Sequence, residues 1–219
     1  MLLLMACTRM SKCGDATKAG SVRETLQRLM QLPRYREGVV AQFFYVGAQI
    51  MCWTFIIQYG TRLFTAQGMD EKVAEVLSQE YNIVAMVLFC SSRFVCTYLL
   101  RFFRLGRMLA VFAALAALLP LGVIGRQSVL GLYCLVGISA CMSLMFPTIY
   151  GIALEGLGED VKFGAVGLIM SILGGSVLPP LQAYLIDQGT LAGWPAVNVS
   201  FVLPLIAFMV VGWYGAKDY

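Results

Sequence analysis

The chain has 219 residues, of which 59% are hydrophobic and only 13% charged, where ordinary soluble domains carry about 25% charged residues. With a mean hydropathy of +0.78, too few polar groups are available to clothe a water-facing surface, so composition excludes a soluble fold and makes lipid the solvent for most of the chain. The net charge of +4 does not point to nucleic acid, because the basic residues sit in the segments between apolar runs and not on one face.

Residues 1–37 form the first predicted unit. The opening apolar run, Leu2 to Cys7, is too short for a span and too short for a signal-peptide core. It reads as the last turn or two of a helix whose upstream part is missing. A polar linker follows, and Ser21, Val22, Arg23 and Glu24 fit a capping box. Val22, Leu26, Leu29 and Met30 then recur at helical spacing until Pro33, which predicts a short amphipathic helix at the cytoplasmic surface.

Residues 38–219 form the second unit, a bundle of six membrane-spanning helices. A helix needs roughly 20 apolar residues to cross the hydrocarbon, and the runs at 38–59, 81–100, 108–124, 128–154, 163–186 and 195–213 satisfy this. Basic residues set the orientation. Arg9, Lys12, Lys18, Arg23, Arg28, Arg34 and Arg36 precede the first span, Arg101, Arg104 and Arg107 follow the second, and Lys162 and Lys217 follow the fourth and sixth. The other side has only Arg62, Lys72 and Arg126. Both termini are therefore expected in the cytoplasm.

Polar groups inside a membrane turn toward a bundle interior or an aqueous cavity. In the first span Gln42, Tyr45, Gln49 and Trp53 share one stripe, because their spacings of 3, 7 and 11 residues nearly close whole turns. Carboxamides that both donate and accept, beside aromatic faces that stack on C–H bonds, suit an uncharged polyhydroxylated ligand. Interhelical hydrogen bonding with aromatic packing explains the same stripe equally well. Asn82, in the second span, is a further candidate. Ser139 and Ser143 share a face of the fourth span, where close packing is the simpler reading. In the fifth, Gly167, Ser171 and Gly175 form a small-residue stripe. Gly174 and Gly175 followed by Pro179 and Pro180 predict a loosened helix that bends during gating or is merely kinked.

Absences are as informative. There is no histidine, which removes histidine triads, metal sites and proton relays. Cys7, Cys13, Cys52, Cys90, Cys96, Cys134 and Cys141 contain no C-x-x-C pair, so no zinc or redox motif is present and no cofactor is expected. No Asp or Glu lies at the centre of a span, since Glu80, Glu155 and Asp187 all fall near span ends. Proton coupling needs a mid-membrane group that binds and releases a proton, so a proton-coupled transporter would have to place that group outside this chain.

Several of these patterns resemble the C-terminal half of the L-fucose/proton symporter branch of the major facilitator superfamily. Ala41 through Gln49 with Cys52 and Trp53 looks like that family's seventh helix. Phe146 to Ile149, Leu157 to Asp160, Lys162 to Gly164, and the Gly174, Gly175, Pro179 and Pro180 set look like its tenth and eleventh helices and their cytoplasmic loop. Arg93 and Phe94 with Arg101 are similar to the motif closing the eighth helix, except that Ser92 stands where a glycine is usual, which puts close packing there in question. The resemblance covers about residues 1–215. It implies an all-α membrane protein forming one half of a facilitator fold, a basic linker of the kind that joins the two halves, and an inner-membrane sugar carrier working by alternating access. It further implies proton-linked carboxylates in a missing N-terminal six-helix half. Gln42, Gln49 and Trp53, then Tyr45 and Asn82, would line the cavity for L-fucose or a related hexose carried with protons. Two other readings are a complete six-helix carrier or channel working as a homodimer, and an intramembrane enzyme, which the missing histidine and carboxylates disfavour.

Overall fold

A computed structural model of the chain describes residues 22–99, 102, 104–125, 128–191 and 194–217. The short apolar opening, the basic linker with Cys7 and Cys13, Ser21, and the side chains of residues 22–26 on which the capping box and half of the amphipathic pattern rest lie outside the described residues.

Helix α1 (Val22–Gln31) is a surface helix. Leu29, 1% exposed, inserts into a small cluster with Tyr35, Ala153 and Leu168, while Met30 stays exposed. Pro33 does more than end this run. Leu32 is extended (φ −76°, ψ 114°), as the residue before a proline must be, and Pro33 occupies the first turn of the next helix, where its missing N–H and fixed φ are no handicap. Helix α2 (Pro33–Ala66) therefore starts earlier than expected and runs through the boundary placed between 37 and 38. At about 1.5 Å per residue its 34 residues outreach the hydrocarbon.

Gly68, at φ +91°, makes the turn into α3 (Glu71–Leu99), a conformation that costs a side-chain-bearing residue free energy. Then come α4 (Leu105–Gly125) and α5 (Val129–Leu154). The fifth span is two helices, α6 (Val161–Met170) and α7 (Gly174–Asp187), separated by a 3₁₀ turn at Ser171–Leu173. The sixth is α8 (Ala196–Ser200) continued by α9 (Val202–Ala216). Between them, β1 (Thr190–Leu191) pairs antiparallel with β2 (Trp194–Pro195), a small ribbon between two helical spans. Among the described residues, six stretches are long and apolar enough to cross a membrane: Pro33–Ala66, Glu71–Leu99, Leu105–Ile124, Val129–Leu154, Val161–Asp187 and Ala196–Ala216.

Helices α2 and α5 are the most buried of these and form the centre of the bundle. Buried polar groups pin the ends. Asn198 Nδ2 donates to the Val123 carbonyl at 3.1 Å and Gln182 Nε2 to Ser200 Oγ at 3.1 Å, joining α8 to α4 and to α7. Helix α3 is the least covered, with Ile83, Val84, Val87, Phe94, Val95 and Tyr98 all exposed. An apolar face of this extent is either lipid-facing or half of an interface.

The end that carries most of the positive charge is tied together by ion pairs. Arg28 binds Asp160, Arg34 binds Glu155, and Lys217 Nζ donates to both Glu37 carboxylate oxygens at 2.7 and 2.9 Å. An exposed pair such as Arg28–Asp160 contributes up to about 1 kcal/mol, whereas emptying a buried leucine site costs about 2–5 kcal/mol. Leu29→Ala is therefore expected to free α1 far more than Asp160→Asn does. Hydrogen exchange over residues 22–31 measures the difference, and an equal effect of the two variants would mean that charge, not packing, holds α1 down.

Candidate substrate site

Tyr45, in the middle of the polar stripe of α2, is buried and donates its hydroxyl proton to the Met142 carbonyl of α5 at 2.9 Å. Its ring meets Phe146 edge-on at 6.2 Å. The half-buried Trp53 donates its indole N–H to Ser139 Oγ at 3.2 Å and packs edge-on against Phe89 of α3 at 5.1 Å. Both aromatic residues thus use their polar handles to bind α2 to α5, and what they keep for a ligand is ring surface. Ser139 serves this bond and Ser143 donates to the Ala140 carbonyl at 2.9 Å, so the α5 serines act in packing.

The two glutamines of the same stripe have different surroundings. Gln42 is 0% exposed, and neither its Nε2 nor its Oε1 has a hydrogen-bond partner among the described residues. Gln49, two turns further along, is only half-buried. The stripe is too long for one sugar ring to touch all of it, because Gln42 and Trp53 are separated by about 16 Å of helix. The compact constellation is Gln49 with Trp53. Asn82 is half-buried with its Oδ1 unpartnered, and it lies seven residues before Phe89, about 10 Å toward the other end of α3.

Across from Gln49 stands Arg93, which the family resemblance placed in the motif closing the eighth helix, with a role in gating or helix packing. Arg93 is one turn beyond Phe89 on α3, as Gln49 is one turn before Trp53 on the antiparallel α2, so the Trp53–Phe89 contact sets Arg93 and Gln49 at the same depth. Arg93 is exposed and lines an open hollow of about 490 Å³ with Phe94, Thr97 and Tyr98. Among the described residues it makes no ion pair. Next to it Ser92, which stands where the resemblance has a glycine, donates to the Ala140 carbonyl of α5 at 3.1 Å and ties the two helices together. Phe89 joins this candidate site although the sequence did not single it out, and Arg93, expected in gating or helix packing, lies one turn from it. The signal for Arg93 was available, since it is the one charge well inside a predicted span.

Apart from Arg93, the candidates for gating or helix packing sit together on the fifth span. Ser171 closes α6 by donating its backbone N–H to the Gly167 carbonyl, and its hydroxyl donates to the Leu168 carbonyl at 2.5 Å. Gly174 then allows a close approach to backbone, since a Cβ there would lie 2.1 Å from the Phe43 carbonyl oxygen of α2. At Gly175 a Cβ would meet the Ile50 side chain instead. Pro179 and Pro180 lie inside α7 without ending it. The break therefore falls at Ser171–Leu173, ahead of the glycine and proline pairs and beside the polar stripe of α2.

The five described cysteines, Cys52, Cys90, Cys96, Cys134 and Cys141, are all free, and among the described residues no cluster of His, Cys, Asp or Glu could hold a metal.

No protein-family model matches the chain. It is 53% identical over 199 residues to the L-fucose-proton symporter of Haemophilus influenzae, covering 90% of this chain and 44% of that protein. To the L-fucose-proton symporter of Escherichia coli it is 33% identical over 194 residues, covering 89% and 42%. The crystal structure of a major facilitator superfamily transporter, FucP, in the outward conformation superposes with a TM-score of 0.80 at 30% identity, covering 98% of this chain and 50% of that one. The chain spans about half the length of each.

Proposed function

Because the chain shares sequence and fold with the C-terminal half of the L-fucose-proton symporters, a half-length unit of the major facilitator fold, we propose that it supplies that half of a sugar/proton symporter in the bacterial inner membrane. The transported sugar is L-fucose or a related hexose, and transport proceeds by alternating access about a site between two six-helix units. The observation that carries this reading is the 53% identity to a fucose symporter over 90% of the chain. The open face of α3, where Arg93 makes no ion pair among the described residues, supports it, because an arginine at membrane depth commonly faces a carboxylate or a polar cavity. The proton-linked carboxylates belong to the other half, across that face. Both termini lie in the cytoplasm, at the end where basic residues and ion pairs collect.

Gln49 and Trp53 form the sugar-binding pair of this half, with the aromatic face stacked on the ring and the carboxamide on its hydroxyls. Gln42 serves in a different state of the cycle, reached when α6 and α7 move against α2 at the Ser171–Leu173 break. A buried amide without partners destabilises a fold by about 1–3 kcal/mol. Gln42→Leu is therefore expected to raise the thermal stability of the purified chain, and in the assembled transporter to lower fucose uptake. A variant that gains stability and keeps full uptake would remove Gln42 from the transport path.

The direct test uses two preparations. The 219-residue chain alone, in liposomes with an inward proton gradient, is expected to accumulate no fucose, since Glu80, Glu155 and Asp187 all lie near span ends. Expressed with the N-terminal six helices of the Haemophilus symporter in cells that lack fucose uptake, it is expected to restore it. Robust accumulation by the chain alone would favour the homodimer reading.

A further inference from the structure

Two features of α4 lie apart from the polar stripe of α2, and they approach each other at the first turns of α4. The first is a groove on the outside of the bundle between α4 and α9. It measures about 640 Å³ and is lined almost wholly by apolar atoms, among them Ala110, Ala114, Ala117, Leu121, Met209 and Gly212. Small residues on both helices keep it open. From Ala110 to Leu121 the groove follows about 16 Å of helix, which is the depth of one leaflet of a hydrocarbon core about 30 Å thick.

The second is a basic hollow of about 420 Å³ at the cytoplasmic end, lined by Arg34, Arg104, Gly106, Arg107, Ile152 and Glu155. Arg34 binds Glu155, whereas Arg104 and Arg107 make no ion pair among the described residues. The two features meet at the start of α4. Arg107 precedes Ala110 by three residues and Ala114 by seven, so all three share one stripe. Gly106 packs on Gly215 of α9, where a Cβ would lie 3.3 Å from the Gly215 carbonyl oxygen, and the next residue, Ala216, lines the groove. Depth is marked independently. Trp213 is 56% exposed and Lys217 Nζ lies 3.8 Å from its ring centroid, the pairing of amphipathic ring and cation found where hydrocarbon gives way to headgroups.

We propose that this groove holds one anionic phospholipid of the cytoplasmic leaflet, with an acyl chain along the alanine-lined floor and the headgroup phosphate on Arg104 and Arg107. The charge argument selects the lipid. A zwitterionic headgroup brings its own cation beside two uncompensated guanidiniums, while an anionic one compensates them without adding any. Free phosphate satisfies the arginines and leaves the groove unused. The inference rests on the reading of the six stretches as membrane spans and not on the sugar, so it stands or falls separately from the transport tests.

The purified 219-residue chain, monodisperse in detergent, is titrated with dioleoyl phosphatidylglycerol, dioleoyl phosphatidylcholine and inorganic phosphate, and bound lipid is counted by native mass spectrometry. Each arginine near an anionic surface strengthens binding about fivefold, so the double variant Arg104→Gln with Arg107→Gln is expected to bind phosphatidylglycerol about 25-fold more weakly and to lose its preference over phosphatidylcholine. Ala114→Phe, which fills the groove without touching the arginines, is expected to weaken both lipids alike. Unchanged phosphatidylglycerol binding in either variant overturns the proposal, as does full displacement of the lipid by inorganic phosphate.

Discussion

Replacing Arg93 by alanine in the assembled transporter is expected to lower the initial rate of fucose uptake about 100-fold, because hydrogen bonds to a charged group contribute about 1.5–3 kcal/mol each and two such bonds reach that factor. Arg93 is level with Gln49, one turn from the Trp53–Phe89 contact, is exposed on α3, and pairs with no carboxylate among the described residues. Arg93→Lys keeps the charge but loses the planar fork, so it is expected to retain an intermediate rate. Labelled-fucose uptake normalised to membrane abundance measures both. The competing possibility is that the long side chain only snorkels toward the nearby cytoplasmic surface. In that case the alanine variant transports at the parental rate, and the reading of α3 as a functional face is lost.

The other large effect is structural. Gly174→Val is expected to prevent the chain from reaching a monodisperse folded state, because its Cβ would sit 2.1 Å from the Phe43 carbonyl oxygen and 2.8 Å from the carbonyl carbon. These are backbone atoms, so no rotamer change relieves the overlap, and α6 and α7 would have to separate from α2. Gly175→Ala is the control. Its nearest neighbour is the end of the Ile50 side chain, which can turn away, so the loss is expected to stay within the about 1–3 kcal/mol typical of overpacking. Size-exclusion profiles and thermal unfolding in detergent compare the two. Equal behaviour would mean that the fifth span does not depend on backbone contact at Gly174.

Arg93 and Gln42 also show where reading the sequence reached and where it stopped. The charge of Arg93 inside a span was visible, but its place opposite Gln49 follows only from the Trp53–Phe89 contact, which joins residues far apart in the chain. Periodicity put Gln42, Tyr45, Gln49 and Trp53 on one stripe, yet it treats them alike. Tyr45 and Trp53 spend their donors on Met142 and Ser139, Gln42 is sealed, and Gln49 is half open. Pro33 reads as a stop in the sequence and is a start in the structure, because the same ring geometry that ends one helix suits the first turn of the next.

By itself the sequence determined that lipid surrounds this chain, how many times the chain crosses it and which end carries the positive charge, because hydrophobic length and loop charge are properties of consecutive residues. The tertiary structure alone decided which polar side chains meet, where the fifth span breaks and which face stays uncovered. Those outcomes depend on the approach of helices distant in sequence, and a helical period fixes a direction around one axis without naming what lies in that direction.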